Sequence, residues 1–243
     1  MFYETPQFFL ILWPFILLLS TVTALMEIQI EGGNGWASCL PSWRFSPKWL
    51  RKLMNGKEVT GYHIYFNLHM IVLLHLPLLL AGWSWPMELT ILFVLCTTML
   101  LEDFLWFVFN PHFGWQSFFP GKIPWYTHWF GAFPVDYYFW VAMSAFLAGM
   151  RGLVIVPVPE PTFGTDNPII AQLAGWGIGF FACLVVMLAM VLICTPRIRR
   201  YLITDTDPHP GHPGFCQACT MPHTARKSAA KKKKKRPSAR RKK

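Results

Sequence analysis

Long apolar segments limit the possible folds of this chain more than any other feature of its sequence. A hydrocarbon core of about 30 Å is crossed by a helix of roughly 20 apolar residues. Segments of about this length recur along the chain, and polar or aromatic stretches separate them. We therefore predict an all-α fold, a polytopic membrane helix bundle with about five transmembrane helices, at residues 8–26, 62–81, 87–109, 137–156 and 169–195.

The composition supports a membrane protein and argues against a soluble domain. The chain is 53% hydrophobic and 14% charged, whereas a soluble domain is about 25% charged. Its 12 Trp and 21 Phe fit the aromatic belts that form where helices leave the bilayer.

Charge divides the chain into two regions. From Pro196 onward there are 15 Lys and Arg against two acidic residues, whereas the preceding part has seven Lys and Arg against ten acidic residues. We predict a transmembrane helical domain at residues 1–203. Residues 204–243 are predicted to be a cytoplasmic linker rich in Pro, Gly, His and Cys, followed by a disordered basic tail.

The distribution of Lys and Arg predicts the orientation in the membrane. The loop between the first two segments is basic, and the later loops carry few positive charges. Cytoplasmic loops are enriched in Lys and Arg, and five spans place this first loop and the tail on the same side. We therefore predict a multi-pass protein of the inner (cytoplasmic) membrane, with its N-terminus outside and its C-terminus in the cytoplasm.

An acidic pair, Glu102 and Asp103, interrupts the third apolar segment. Each charge there costs roughly 2.5–3.5 kcal/mol on insertion scales, so ionisable residues at such depth are functional candidates. Glu102 and Asp103 point about 100° apart on a helix, so the two carboxylates need not reach one site. With Asp136 they are the candidate catalytic groups, and the alternatives are interfacial hydrogen bonding and proton or ion handling.

Histidines near the same end of the bundle suggest a metal site. His63, His69 and His75 are six residues apart, so successive rings turn by about 240° and cannot hold one ion together. Carboxylates and imidazoles bind divalent transition metals, and the candidate ligands are His63, Glu102, His112 and His128. The rival interpretation is that each histidine is a hydrogen-bonded packing residue.

Two loops are too aromatic for ordinary connections. Residues 110–136 and residues 32–46 alternate Trp, Phe or Tyr with Pro and Gly. Because Trp and Tyr prefer the headgroup region, we expect an aromatic interfacial cap over the mouth of the bundle, with a short surface helix at residues 48–54. The candidate binding residues there are Glu31, Trp36, Trp43, Arg44 and Asn110.

The tail holds a second candidate metal site. Two cysteines with zinc-ligand spacing are flanked by two histidines, which completes a tetrahedral set: His212, Cys216, Cys219 and His223. A flexible Pro/Gly linker is the alternative, and a redox pair is a third. The basic run beyond it is expected to bind anionic inner-leaflet headgroups, at about 1 kcal/mol for each Lys or Arg, and a dedicated nucleic-acid function is disfavoured.

Three stretches resemble an uncharacterised family of small bacterial polytopic integral membrane proteins. They are residues 31–44, 60–63 and 102–114, and together they extend over much of residues 27–136. The family has no known activity, so the resemblance assigns no catalytic residue. It implies that these segments belong together.

The leading hypothesis is a polar carboxylate and histidine site at the cytoplasmic interface that binds a lipid or amphiphile. The sequence leaves open whether the protein is an enzyme that transforms this ligand and whether a metal assists. The alternative is a non-catalytic membrane scaffold or complex subunit that binds a protein partner and is tethered by its tail. A proton-coupled carrier is a third hypothesis. The sequence has no Walker loop and no dinucleotide-binding fingerprint, which argues against an ATPase and a dinucleotide enzyme.

Overall fold

Helices dominate the computed structural model, which describes residues 8–113, 119–123, 125–154 and 163–203, without the side chains of residues 200, 201 and 203. Within these residues the chain forms six helices and two small antiparallel sheets. The helices are α1 (Phe8–Glu31), α2 (Lys48–Leu53), α3 (Gly61–Ala81), α4 (Trp85–Phe109), α5 (Val135–Val154) and α6 (Pro168–Ile203). The all-α prediction is confirmed.

Four of the described helices are long and apolar enough to cross a membrane: α1, α3, α4 and α6. The fifth long helix, α5, forms at the predicted place, but it is more polar and carries Asp136 near its start and Arg151 near its end. Much of the outer surface is apolar, with Leu79 and Leu80 more than four-fifths exposed. By length and composition, four of the five predicted spans are therefore candidate membrane spans, and α5 is not among them.

Two helices extend well beyond their predicted ends. The first segment was expected to end at residue 26, but α1 continues to Glu31. It ends where Gly32 adopts a φ of 59° and its amide donates to the carbonyl of Ile28 at 2.8 Å, which is a left-handed helix terminus. The extra turn places Glu27 and Glu31 inside the bundle rather than in a loop. The last segment, expected to end at residue 195, continues as α6 to Ile203.

The central helix of the bundle is α4. It packs against each of the other four long helices. In its most apolar stretch of 18 residues 67% are buried, compared with 6% in the corresponding stretch of α3. Ser84 caps its N-terminus by accepting a hydrogen bond from the amide of Met87, a common capping geometry. Because α4 is central, Glu102 and Asp103 in its last turns lie inside the bundle, whereas α3 is a peripheral wall.

A close contact between Trp13 and Gly179 joins α1 to α6. Trp13 is 2% exposed, and its ring packs edge-on against Phe93 of α4 at 5.6 Å. A Cβ atom placed on Gly179 would lie 1.9 Å from the Trp13 ring. The glycine therefore permits the close approach of these helices, as small residues do in membrane bundles.

Two short pairs of antiparallel strands shape the polar end of the bundle. Strand β1 (Arg44–Phe45) pairs with β2 (Val59–Thr60), and the short helix α2, predicted at residues 48–54, lies between them. Strand β3 (Trp129–Phe130) pairs with β4 (Phe133–Pro134) just before α5. Asn55, in the loop between α2 and β2, joins that loop to the one before β3. Its side-chain oxygen accepts hydrogen bonds from Thr127, and its side-chain amide donates to the carbonyl of His128 at 3.1 Å.

The Trp13 contact predicts unequal effects of two similar substitutions in α6. We expect Gly179→Ala to lower the free energy of unfolding by about 1–3 kcal/mol, because the added methyl group overpacks a buried contact. Gly177→Ala is the matched control, since a Cβ there meets nothing within 4 Å and alanine favours a helix by up to about 1 kcal/mol. Unfolding in detergent should separate the two, and equal effects would contradict this packing.

Candidate functional site

A cavity of about 430 Å³ lies at one end of the bundle, between the last turns of α1 and α4 and the first turns of α3 and α5. The loops before α3 and α5 complete its walls. The polar residues that line it come from separate elements: Glu27, Glu31, Lys57, Glu58, His63, Asn67, Glu102, Asp103, Tyr126, Asp136 and Tyr137. The cavity thus collects in space several groups that the sequence places only at a similar depth.

Two carboxyl groups come from one face of α1. Glu27 and Glu31 are four residues apart, which places them on the same side of a helix, and both are buried. Glu31 Oε1 accepts a hydrogen bond from the amide of Ala37 at 2.5 Å. The Glu27 carboxyl lies beside Glu102 and the Tyr62 hydroxyl. The last two turns of α1 therefore present an acidic face to the cavity.

His63, in the first turn of α3, faces this acidic surface. Its Nε2 atom lies 3.8 Å from Glu31 Oε1, and its Nδ1 atom lies 2.6 Å from the hydroxyl of Thr60. The Trp36 ring stacks on the imidazole, with ring centres 4.1 Å apart. The hydrogen bond and the stacking fix the ring so that Nε2 points toward the carboxylates.

Glu102 is the most deeply placed carboxyl of the third predicted span. Its side chain is 7% exposed, and it lies beside Glu27 in the lining of the cavity. Apart from this carboxyl–carboxyl contact, the buried Oε1 atom has no hydrogen-bond partner among the described residues. A buried, unsatisfied carboxyl oxygen is costly, so a ligand that donates to this atom would be stabilised here.

Asp103 faces the same cavity, although it points away from Glu102 on the helix. Asp103 Oδ2 accepts hydrogen bonds from the hydroxyls of Tyr126 at 2.9 Å and Tyr137 at 2.5 Å. Burial raises the pKa of the Tyr126 hydroxyl well above its ordinary value, and Asp103 raises it further. Tyr126 therefore remains a hydrogen-bond donor at all physiological pH values.

A lysine forms the other wall of the site. Lys57 Nζ pairs with Asp136 Oδ2, and it lies 4.8 Å from the Trp36 ring centre and 4.7 Å from that of Tyr126. Cation–π contacts of this kind stabilise a partly desolvated ammonium group. Lys57 thereby holds together the loop before α3, the start of α5 and the ring that stacks on His63.

The lining carries an excess of acidic groups. It contains six carboxyl groups, against one lysine and one histidine. Lys57 pairs with Asp136, and Arg44 pairs with Glu58 at 3.6 Å. Within the described residues, no lysine or arginine forms an ion pair with Glu27, Glu31, Glu102 or Asp103. The arrangement suits a ligand that donates hydrogen bonds or carries positive charge.

The structure separates the four residues of the predicted metal set. His63 and Glu102 line the cavity. The His112 ring instead packs against the backbone of Gly33, and His128 binds Asn55 Oδ1 through its amide and its Nδ1 atom. One side-chain atom from each of Glu27, Glu31 and His63 lies within 4.8 Å of the others. The residues that could share a metal ion are therefore these three, with Glu102 beside them.

The predicted binding residues also divide into two groups. Glu31 and Trp36 line the cavity, and Trp36 Nε1 donates to the carbonyl of Glu58 at 2.8 Å. Trp43, Arg44 and Asn110 lie outside the lining and hold the loops. The Trp43 ring covers Gly61, the Arg44 side chain donates to the carbonyl of Ala37, and buried Asn110 donates to the carbonyl of Gly32 at 2.8 Å.

The lining residues that sequence reasoning did not select as site residues include Glu27, Lys57, Tyr126 and Tyr137. Glu27 fell just beyond the predicted end of the first span. Its spacing from Glu31 was the available signal, since two acidic residues four apart share a helix face. Nothing local in the sequence marks Lys57 or the two tyrosines, because their contacts join distant segments. The tail set His212, Cys216, Cys219 and His223 lies outside the described residues.

No protein-family model, curated protein or solved structure matches this chain. The resemblance noted for residues 31–44, 60–63 and 102–114 therefore stays a prediction. Parts of all three stretches contribute to the cavity, through Glu31, Trp36, His63, Glu102 and Asp103.

The tyrosine contacts of Asp103 predict a measurable coupling. Tyr126→Phe should lower the free energy of unfolding by about 1–3 kcal/mol, because it removes a donor from a buried carboxylate. Tyr138→Phe is the control, since that hydroxyl is exposed and binds only the carbonyl of Phe130. The effect of Tyr126→Phe should shrink in an Asp103→Asn background. An unchanged effect there, measured by unfolding in detergent, would contradict the contact.

Proposed function

We propose that this chain is an integral membrane protein that binds an amphiphile in the cavity at the polar end of its bundle. The headgroup would contact the carboxyl groups and His63, and the apolar chain would lie between α3 and α4. The observation that carries this proposal is the composition of the cavity, which has an acidic end and an apolar end.

The apolar end is built from the same helices as the polar end. Ile64 and Phe66 contribute from α3, and Leu95, Cys96 and Met99 contribute from α4. These α4 residues precede Glu102 by one to two helical turns. A ligand that fills both ends therefore needs a polar head and an apolar chain, as small-molecule sites combine apolar walls with a few polar groups.

The position of α3 supports entry from the bilayer. This helix forms an outer wall of the cavity, and only Gly61 and Met70 are buried along its length. At its far end it is fastened to α4 by the His75–Glu88 pair at 3.2 Å. Between that pair and the cavity, Leu68, Val72 and Leu73 of α3 are at least half exposed, so an amphiphile would enter beside this helix without crossing the core.

The acidic lining favours a particular class of headgroup. Carboxylates accept hydrogen bonds, and Glu102 Oε1 lacks a donor. A hydroxyl-bearing or ammonium-bearing headgroup would supply donors and reduce the negative charge. A bare phosphate would add repulsion at the distances found here.

The orientation of the protein belongs to the same proposal. With five spans, counting α5, the basic loop before α3 and the tail share the cytoplasmic side of the inner membrane, and the cavity opens there. The tail would bind anionic headgroups electrostatically. Accessibility labelling of a cysteine introduced at Lys52 should succeed only from the cytoplasmic side.

A substitution that fills the apolar end should prevent amphiphile binding. Cys96→Trp places a large ring in the cavity, so we expect at least a ten-fold loss of amphiphile that co-purifies in mild detergent, measured by mass spectrometry of extracted lipid. Leu192→Trp is the matched control, because Leu192 is exposed on α6. Equal retention by both variants would contradict the proposed site.

Glu102→Gln should reduce retention while leaving the fold intact, because the amide keeps the shape of the side chain but loses its charge. Asp166→Asn is the control, since Asp166 is exposed and lies outside the lining. Retention and thermal unfolding should be measured together. Loss of folded protein in Glu102→Gln would favour a structural role, and unchanged retention would favour the membrane scaffold.

A further inference from the structure

We propose that Glu27, Glu31, Glu102 and His63 bind one divalent first-row transition-metal ion. This inference rests on the proposed function in one respect, since it places the ion in the same cavity. It proposes that the headgroup would contact a metal ion, and binding of that ion can be tested without any amphiphile.

The geometry of three residues carries the first step. Ligand atoms of Glu27, Glu31 and His63 all lie within 4.8 Å of one another. Two ligands bound at about 2.1 Å to one ion are at most about 4.2 Å apart. Side-chain rotations that move the atoms by less than about 1 Å therefore suffice to bring all three to one ion.

Glu102 supplies an independent observation that a ligand belongs here. Its side chain is more than nine-tenths buried and lines the cavity. Its carboxyl group contacts that of Glu27, and no N–H or O–H donor of the described residues reaches its Oε1 atom. A cation between Glu27 and Glu102 would satisfy this oxygen and offset the repulsion between neighbouring carboxylates, which is strong where water is excluded.

The surroundings of His63 favour metal binding through Nε2. Thr60 Oγ1 lies 2.6 Å from Nδ1 and can accept its hydrogen, and this tautomer leaves the lone pair of Nε2 toward Glu31. Ligating histidines usually have such a hydrogen-bond partner at the second nitrogen. The Trp36 ring, stacked at 4.1 Å, holds the imidazole in this orientation.

The donor set indicates the class of metal. Three carboxylates with one imidazole suit Mn²⁺, Fe²⁺ or Zn²⁺. With these four ligands, a six-coordinate Mn²⁺ or Fe²⁺ would keep positions open and could act as a Lewis acid toward a headgroup oxygen, whereas a tetrahedral Zn²⁺ would not. The competing arrangement is a metal-free cluster in which the carboxyl groups share protons.

The test is Mn²⁺ titration of the full-length protein in detergent, followed by electron paramagnetic resonance. The four tail residues are first replaced (His212→Ala, Cys216→Ser, Cys219→Ser, His223→Ala) so that they cannot contribute. We expect one Mn²⁺ per chain, with binding weakened at least ten-fold by Glu27→Gln. Glu58→Gln is the control, because Glu58 lines the cavity but lies outside the ligand group.

Because a cavity variant can lose Mn²⁺ simply by misfolding, the ¹⁴N coupling of bound Mn²⁺ is measured first on protein with an unchanged cavity. Bound Mn²⁺ should show a ¹⁴N coupling from one imidazole, and His63→Gln should remove it. Absence of saturable binding, or binding without nitrogen coupling, would overturn the proposal in favour of shared protons. Cys96→Trp should keep Mn²⁺ binding while losing the amphiphile, so failure of one proposal is distinguishable from failure of the other.

Discussion

Carboxyl groups are costly to bury in an apolar bundle, and the arrangement at its polar end depends on reducing that cost. Glu27, Glu31, Glu102 and Asp103 all lie inside the bundle. Isolated charges at these positions would oppose insertion, so the surrounding elements supply donors. The amide of Ala37 serves Glu31, and two tyrosine hydroxyls serve Asp103. The loops before α3 and α5 therefore stabilise groups that lie on α1 and α4.

This compensation is incomplete at one place. Lys57 pairs with Asp136 and lies over the rings of Trp36 and Tyr126. Its positive charge therefore compensates carboxyl groups on the Asp103 side of the cavity. On the side formed by Glu27, Glu31 and Glu102, the structure describes an ion-pair contact from His63 and none from a lysine or arginine. Proteins rarely leave a buried polar atom such as Glu102 Oε1 without a partner. These buried carboxyl groups without a basic partner are the physical reason for proposing both a hydrogen-bond-donating headgroup and a metal ion.

Helix-scale features could be predicted from the sequence, whereas contacts between loops and helices could not. Apolar length predicted α3 and α4 closely, and the acidic pair Glu102 and Asp103 marked the site. The first span was ended too early, because hydropathy falls at Glu27 although α1 continues. Helical geometry predicted that Glu102 and Asp103 point in different directions and need not reach one site. Both nevertheless line the same cavity, because its lining extends around α4. The histidine distances depend on loop paths that no periodicity encodes, so His112 and His128 could not be told apart from His63.

The convergence of α1 and α4 at their acidic residues is the central claim, and thiol cross-linking in native membranes tests it most directly. Glu27→Cys and Glu102→Cys are combined in one chain and treated with a short bifunctional thiol reagent. The cross-linked peptides are then identified by mass spectrometry. Glu27→Cys with Glu88→Cys is the control pair, because Glu88 lies at the opposite end of α4. We predict efficient cross-linking of the first pair only. Equal cross-linking of both pairs, or none for the first, would contradict the account.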